Sequence, residues 1–237
     1  WSWGALLADF DNDGLKDIFI TNGIKGATND MDYMNFIANE DLQRRIDAGM
    51  DHTDMPLIHE IPEKKVPNYF FKNNGDLTFT NTTEIWSEAR ASFSNGTTYA
   101  DLDNDGDLDI IVSNINEKAL ILKNNAQNNN FLQITFDGAT KNKFGIGAKA
   151  IAFVGNKVYS AENFVVRGYL SSSPSKLHLG LGKDSIIDSL TVVWPGGAFE
   201  TLQNVRANQL LEVSQKNATG NHYEKRMARP ALYTMND

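Results

Sequence analysis

Two nine-residue stretches, DFDNDGLKD from Asp9 and DLDNDGDLD from Asp101, place acids at positions 1, 3, 5 and 9 and glycine at position 6. The first set is Asp9, Asp11, Asp13 and Asp17 around Gly14; the second is Asp101, Asp103, Asp105 and Asp109 around Gly106. Four carboxylates this close repel one another unless a hard cation neutralises them, and calcium accepts six to eight oxygens in a flexible arrangement. Glycine at position 6 permits the sharp turn that points alternate side chains inward. Position 7 would add a backbone carbonyl, from Leu15 and from Asp107. The expectation is two Ca²⁺ sites. Magnesium fits less well, because it tolerates crowded all-protein cages poorly. An EF-hand would require a bidentate Glu at position 12, where Ile20 and Val112 stand instead.

The elements that must hold these loops are read from a repeat. Residues 1 to 22 align without gaps to residues 93 to 114, with 11 of 22 positions identical, an offset of 92 from Asp9 to Asp101. A second matched pair, YFFKNNGD from Tyr69 and LILKNNAQ from Leu120, shares Lys-Asn-Asn at an offset of 51, from Lys72 to Lys123. The two offsets differ by 41 residues, which places an insert between Asn22 and Tyr69. Without it the period falls in the range of four-stranded propeller blades. DIFIT and DIIVS after the acidic loops read as short strands buried on both faces. Within the insert, Met34, Ile37, Ala38, Leu42 and Ile46 recur at helical spacing up to Gly49, which predicts one amphipathic helix. Two blades cannot close a propeller, so the chain reads as a piece of a longer protein.

Both loops, with the strands after them, resemble the FG-GAP or VCBS repeats of integrin-α-type propellers. The resemblance implies calcium between the strands of a blade, held by the eight aspartates named above.

From about Asn128 the acidic loops stop. Leu132, Ile134 and Phe136 alternate with polar residues, Gly155-Asn156 separates two strand-like runs, and Leu190, Val192 and Trp194 alternate up to PGG. This predicts a small antiparallel sandwich. FLQI, GIGAKA (145–150), RGYLSSS (167–173), HLGLG (178–182) and VVWPGG (192–197) resemble the ASPIC/UnbV domain, which commonly follows FG-GAP-like repeats in secreted proteins. The fold class expected is therefore all-β: partial β-propeller blades with calcium loops and a helical insert, then a small antiparallel β-sandwich. The domains expected are 1–126 for the blades, with the insert at about 24–66, then 127–216 for the sandwich and 217–237 for a linker or tail.

Other chemistries find no support. Net charge is −8, with 22 Lys plus Arg against 30 Asp plus Glu, so no basic stripe is available for nucleic acid. The chain has no cysteine, which removes disulfides and thiolate metal sites. No apolar run is long enough for a membrane span. GIGAK and GLGKDS lack the spacing of nucleotide loops, and His52, His59, His178 and His222 lack metal-ligand spacing. Neither a catalytic residue nor an organic-cofactor site is assigned. Trp194 and Tyr169 read as core aromatics rather than sugar platforms. Three Asn-x-Thr sequons, at Asn81, Asn95 and Asn217, fit a secreted chain.

The function expected is a non-catalytic, calcium-stabilised binding or adhesion module, extracellular or at the cell surface. Its partners would be a protein or glycan ligand, engaged through the 24–66 insert, and further blades of the same protein. The alternative is an accessory part of a secreted polysaccharide-degrading enzyme whose active site lies outside this stretch.

Overall fold

The computed structural model describes residues 1–26, 31–49, 63–126 and 129–223. His52, His59, residues 27–30 and 50–62 of the insert and the end of the tail lie outside them. The described chain divides into two compact units. One comprises Trp1–Asp11, Leu15–Gln127 and Val166–Pro174; the other comprises Asn12–Gly14, Asn128–Val165 and Ser175–Asp237.

The first unit holds the two repeats. Strands β1 (Ser2–Ala8), β2 (Asp17–Asn22), β4 (Tyr69–Asn73) and β5 (Phe79–Asn81) pair antiparallel in the order β1-β2-β4-β5, a four-stranded meander as expected of a blade. The short β3 (Val66–Pro67) pairs instead with β6 (Ala91–Ser92). The second repeat gives β7 (Ser94–Ala100), β8 (Asp109–Asn114) and β9 (Leu120–Leu122), three strands among the described residues. Both repeats carry the same irregularity: register shifts between Ser2 and Ala5 in β1, and between Ser94 and Thr97 in β7, positions related by the 92-residue offset. A β-bulge increases local twist, and here it recurs beside the strand that leads into each acidic loop. Leu6, Phe10, Phe19, Phe70, Ile110 and Val112 form the core of this unit. Full burial of Phe19 alone is worth roughly 1.5–3 kcal/mol.

The insert differs from the single helix that its periodicity predicts. It forms two helices, α1 (Met31–Ile37) and α2 (Glu40–Asp47), because Asn39 takes an extended conformation and caps the second. The Asn39 side chain accepts from the backbone N–H groups of Asp41 and Leu42, at 2.9 and 3.3 Å, an arrangement typically worth about 1 kcal/mol. Leu42 is buried, whereas Met34 and Ile46 are exposed. A single-turn helix, α3 (Thr83–Trp86), follows β5.

The second unit contains a four-stranded antiparallel sheet, β12 (Lys157–Glu162), β11 (Lys149–Val154), β14 (Ile186–Val193) and β15 (Phe199–Arg206) in that order. Gly155-Asn156 forms the turn between β11 and β12, with Val154 opposite Lys157, as the sequence predicts. A three-stranded sheet orders β13 (Leu177–Gly182), β10 (Asn130–Asp137) and β16 (Gln209–Ser214). The sandwich is not wholly antiparallel, because β10 and β16 run parallel from Leu132↔Gln209 to Asp137↔Ser214. Leu132, Ile134, Leu190, Val192, Val213 and Trp194 fill the core.

Between the two units the chain passes from Gln127 to Asn128, and Val166–Pro174 groups with the first unit. The reason is local bonding. The Thr97 backbone N–H donates to Ser171 Oγ at 3.0 Å, and Thr98 Oγ1 donates to the Ser172 carbonyl at 2.8 Å. Tyr169, read as a core aromatic, is accordingly 40% exposed, whereas Trp194 is buried as expected.

Candidate metal sites

Each acidic loop is held by the same set of bonds. At position 9, Asp17 accepts from the Phe10 N–H at 3.1 Å through Oδ2 and from the Asn73 N–H at 2.9 Å through Oδ1. Asp109 accepts from the Leu102 N–H at 2.9 Å and the Asn124 N–H at 2.8 Å in the same way. The amide nitrogens of Asn73 and Asn124 return the contact, donating to the Lys16 and Leu108 carbonyls at 3.0 and 3.2 Å. Asn124 also donates to the Phe10 carbonyl at 2.7 Å, which ties the second Lys-Asn-Asn strand to the first loop. The lysine of each triplet meets the position-3 acid: Lys72 pairs with Asp11, and Lys123 Nζ lies 2.6 Å from Asp103 Oδ2. Lys72, Asn73, Lys123 and Asn124 are site residues that carboxylate spacing does not find. Their signal in the sequence is the Lys-Asn-Asn pair, offset by 51.

The turns are built alike. Asn12 and Asn104 have φ of 58° and 61°, and Gly14 and Gly106 both have φ of 93°, a conformation that excludes a side chain at little less than full strain. The tip of the first loop, Asn12–Gly14, counts with the second unit. There the Gly182 N–H donates to the Asn12 carbonyl at 2.8 Å, and Asn12 Oδ1 lies 2.6 Å from His178 Nε2. A Cβ at Gly14 would stand 2.4 Å from the Tyr159 ring.

These frames bring carboxylates together. In the first loop one oxygen from each of Asp9, Asp11 and Asp17 lies within 4.8 Å of the others, and in the second Asp101, Asp103 and Asp105 do so. Asp13 stands outside the first trio and Asp109 outside the second, although the sequence treats all eight acids alike. Asp109 is committed to the two backbone donors above, whereas Asp17 serves both the frame and the trio. Leu15, the position-7 residue of the first loop, is exposed, and Asp107, its counterpart, is buried.

The electrostatics follow from burial and crowding. Burial pushes the Asp17 carboxyl up to about 6, against the lowering effect of its two backbone donors. Asp107 is likewise pushed up to about 6, first by burial and then by repulsion from Asp105, Asp101, Asp109 and Asp103. Its bond to Lys123 holds Asp103 below the usual carboxylate range. Lys16, at position 8 of the first loop, is lowered first by desolvation from the atoms packed around it and then by the Arg167 charge, although its surface remains exposed.

The donor set fits calcium. It is all oxygen, carries excess negative charge, brings three carboxylate oxygens within 4.8 Å of one another in each loop, and already draws an ammonium to the position-3 acid in both. In the first loop Asp9, Asp11 and Asp17 would hold the ion, and in the second Asp101, Asp103 and Asp105 would. A bound dication there would supply charge neutralisation and cross-linking of the loop.

Residues 62–112 match the family described as FG-GAP-like repeat, a span that includes the second acidic loop but not the first. Residues 138–220 match the family described as ASPIC and UnbV. Human cartilage acidic protein 1 is 30% identical over 219 residues, covering 88% of this chain and 27% of that protein. The mouse protein of the same name is 29% identical over 221 residues, covering 88% of this chain and 28% of its own length. The chain thus spans about a quarter of the length of the relatives it matches. With its acidic loops held in one repeated frame and its second unit built as a β fold of its own, the chain is similar to the FG-GAP-like repeat family over residues 62–112, to the ASPIC and UnbV family over residues 138–220, and to cartilage acidic protein 1 over 88% of its length.

Proposed function

We propose that the chain is a calcium-stabilised, non-catalytic binding module of an extracellular protein. The observation that carries this reading is the convergence of three carboxylates in each of two loops built on one frame. The matched families support it, and no helix among the described residues is long and apolar enough to cross a membrane. Calcium binds the folded loops and not the unfolded chain, so it adds stability by mass action. At calcium a hundred times the dissociation constant each site contributes about 2.7 kcal/mol. Extracellular modules of this kind work at roughly 10⁻⁴–10⁻³ M.

Calorimetric titration of chelator-treated, dialysed protein tests the reading. The expected result is two calcium sites, a midpoint of thermal unfolding raised by several degrees, and little change with equal magnesium. Asp11→Ala and Asp103→Ala should each leave one site. Equal shifts with both ions, or no calcium heat at all, would overturn it.

A further inference from the structure

Within the first unit, away from the acidic loops, a cavity of about 300 Å³ opens beside β7 and β8. Asn95, Thr98, Ser113, Tyr169, Leu170 and Ser171 are among its nine lining residues, and none of the nine carries a charge. Tyr169 forms one wall. Its ring is 5.0 Å from that of Trp3, which in turn stacks on Trp1 at 6.0 Å, so the wall is the end of an aromatic row. Leu170, beside it, is 88% exposed and has φ of 46°, a left-handed conformation that costs a leucine on the order of 1 kcal/mol.

The repeat identifies what is unusual about this place. Ser113 stands 92 residues after Thr21, at the same repeat position. The Thr21 hydroxyl is buried, accepting from the Gly4 N–H at 2.8 Å and donating to the Asn95 carbonyl at 2.6 Å. In the second repeat the donor equivalent to Gly4, the Gly96 N–H, goes instead to Asn95 Oδ1 at 2.7 Å. The Ser113 hydroxyl and the Asn95 amide nitrogen are left without a hydrogen-bond partner among the described residues, at the cavity surface.

The geometry points to this cavity as a binding site for a neutral saccharide. An exposed aromatic face packs the apolar C–H face of a sugar ring, and an adjacent hydroxyl and carboxamide exchange hydrogen bonds with its hydroxyls. The uncharged lining offers nothing to a phosphate or carboxylate. The volume lies at the lower end of the roughly 300–1,000 Å³ of small-ligand pockets, enough for one or two rings. The inference rests on the binding-module reading and supplies its ligand class.

The test is calorimetry on the full chain with maltotriose, cellotetraose, xylotetraose, mannotriose and chitotriose, and with a heparin oligosaccharide as the anionic control. At least one neutral sugar should bind. Tyr169→Ala should weaken it about tenfold, Ser113→Ala about threefold, and Tyr169→Phe should retain it. Binding of none of the neutral sugars, preference for heparin, or affinity unchanged by Tyr169→Ala would overturn the proposal. Thermal unfolding with and without calcium on the same samples separates the two readings: stabilisation by calcium with no sugar bound leaves the module and removes the pocket.

Discussion

The two acidic loops share a frame and differ in what fills it. In the first, Asp17 is 0% exposed and Asp9 is buried, position 7 is Leu15, and Lys16 sits next to the position-9 acid. In the second, Asp103 and Asp105 are exposed, position 7 is Asp107, position 8 is Leu108, and the loop holds five acids with no base of its own. The first loop buries Asp9 and Asp17 and leaves Leu15 and Lys16 exposed, while the second buries Asp107, Leu108 and Asp109, leaves Asp103 and Asp105 exposed and carries more negative charge on the same scaffold. The difference teaches that backbone architecture and ligand strength are set by separate residues: the position-9 acid and the Lys-Asn-Asn asparagine build the loop, and the remaining acids set its charge.

The largest effect should come from breaking the common frame. Asp17→Ala removes the acceptor of two backbone N–H groups inside the core and should cost about 3 kcal/mol or more, since bonds to charged groups are worth roughly 1.5–3 kcal/mol each. Asp109→Ala should cost a comparable amount. Chemical denaturation without calcium measures both. A loss confined to calcium affinity, with stability unchanged, would mean that the frame does not depend on this carboxylate.

A smaller effect concerns the lysines. Lys72→Met and Lys123→Met each free the position-3 acid from an ammonium, so calcium affinity should rise about threefold to tenfold. The rise should be greater for Lys72, because Lys123 is the more exposed and its charge is better screened by water. A fall in affinity for either variant would show that the lysine orients the acid for the ion rather than competing with it.

The smallest effect is an exchange at position 7. Asp107→Leu makes the second loop resemble the first and should weaken its calcium binding by about twofold to fivefold, while Leu15→Asp should strengthen the first by a similar factor, because site charge tunes affinity. Calorimetry of each variant in a background lacking the other site, through Asp11→Ala or Asp103→Ala, reads the exchange directly. Equal affinities before and after would place position 7 outside the determinants of strength.

Much of this is legible in the sequence because it is periodic. The 92-residue offset finds both loops, the strands after them and their turn glycines. The 51-residue offset also marks the Lys-Asn-Asn strands. What it leaves hidden is direction: nothing in KNN says that Asn73 and Asn124 turn back onto Lys16 and Leu108, or that their backbone amides seek the position-9 acid. The split of the insert into two helices is missed because the apolar spacing runs unbroken across Asn39, whose capping role depends on conformation rather than on period. The association of Val166–Pro174 with the first unit is missed for a different reason. It rests on hydroxyl and backbone bonds from Ser171 and Ser172 to Thr97 and Thr98, contacts that leave no hydrophobic pattern.

The parallel pairing of β10 with β16 sets an order of events during synthesis. Leu132 pairs with Gln209, 77 residues further along, so one edge of β10 stays open until the last strand of its sheet has been made. At ribosomal speeds that interval is roughly 4–15 s. During it Leu132 and Ile134, fully buried in the finished fold, lie on a strand whose exposed backbone can pair with another nascent chain. The completed unit closes that edge with its own C-terminal strand, so a chain shortened before Gln209 would remain permanently in the vulnerable state.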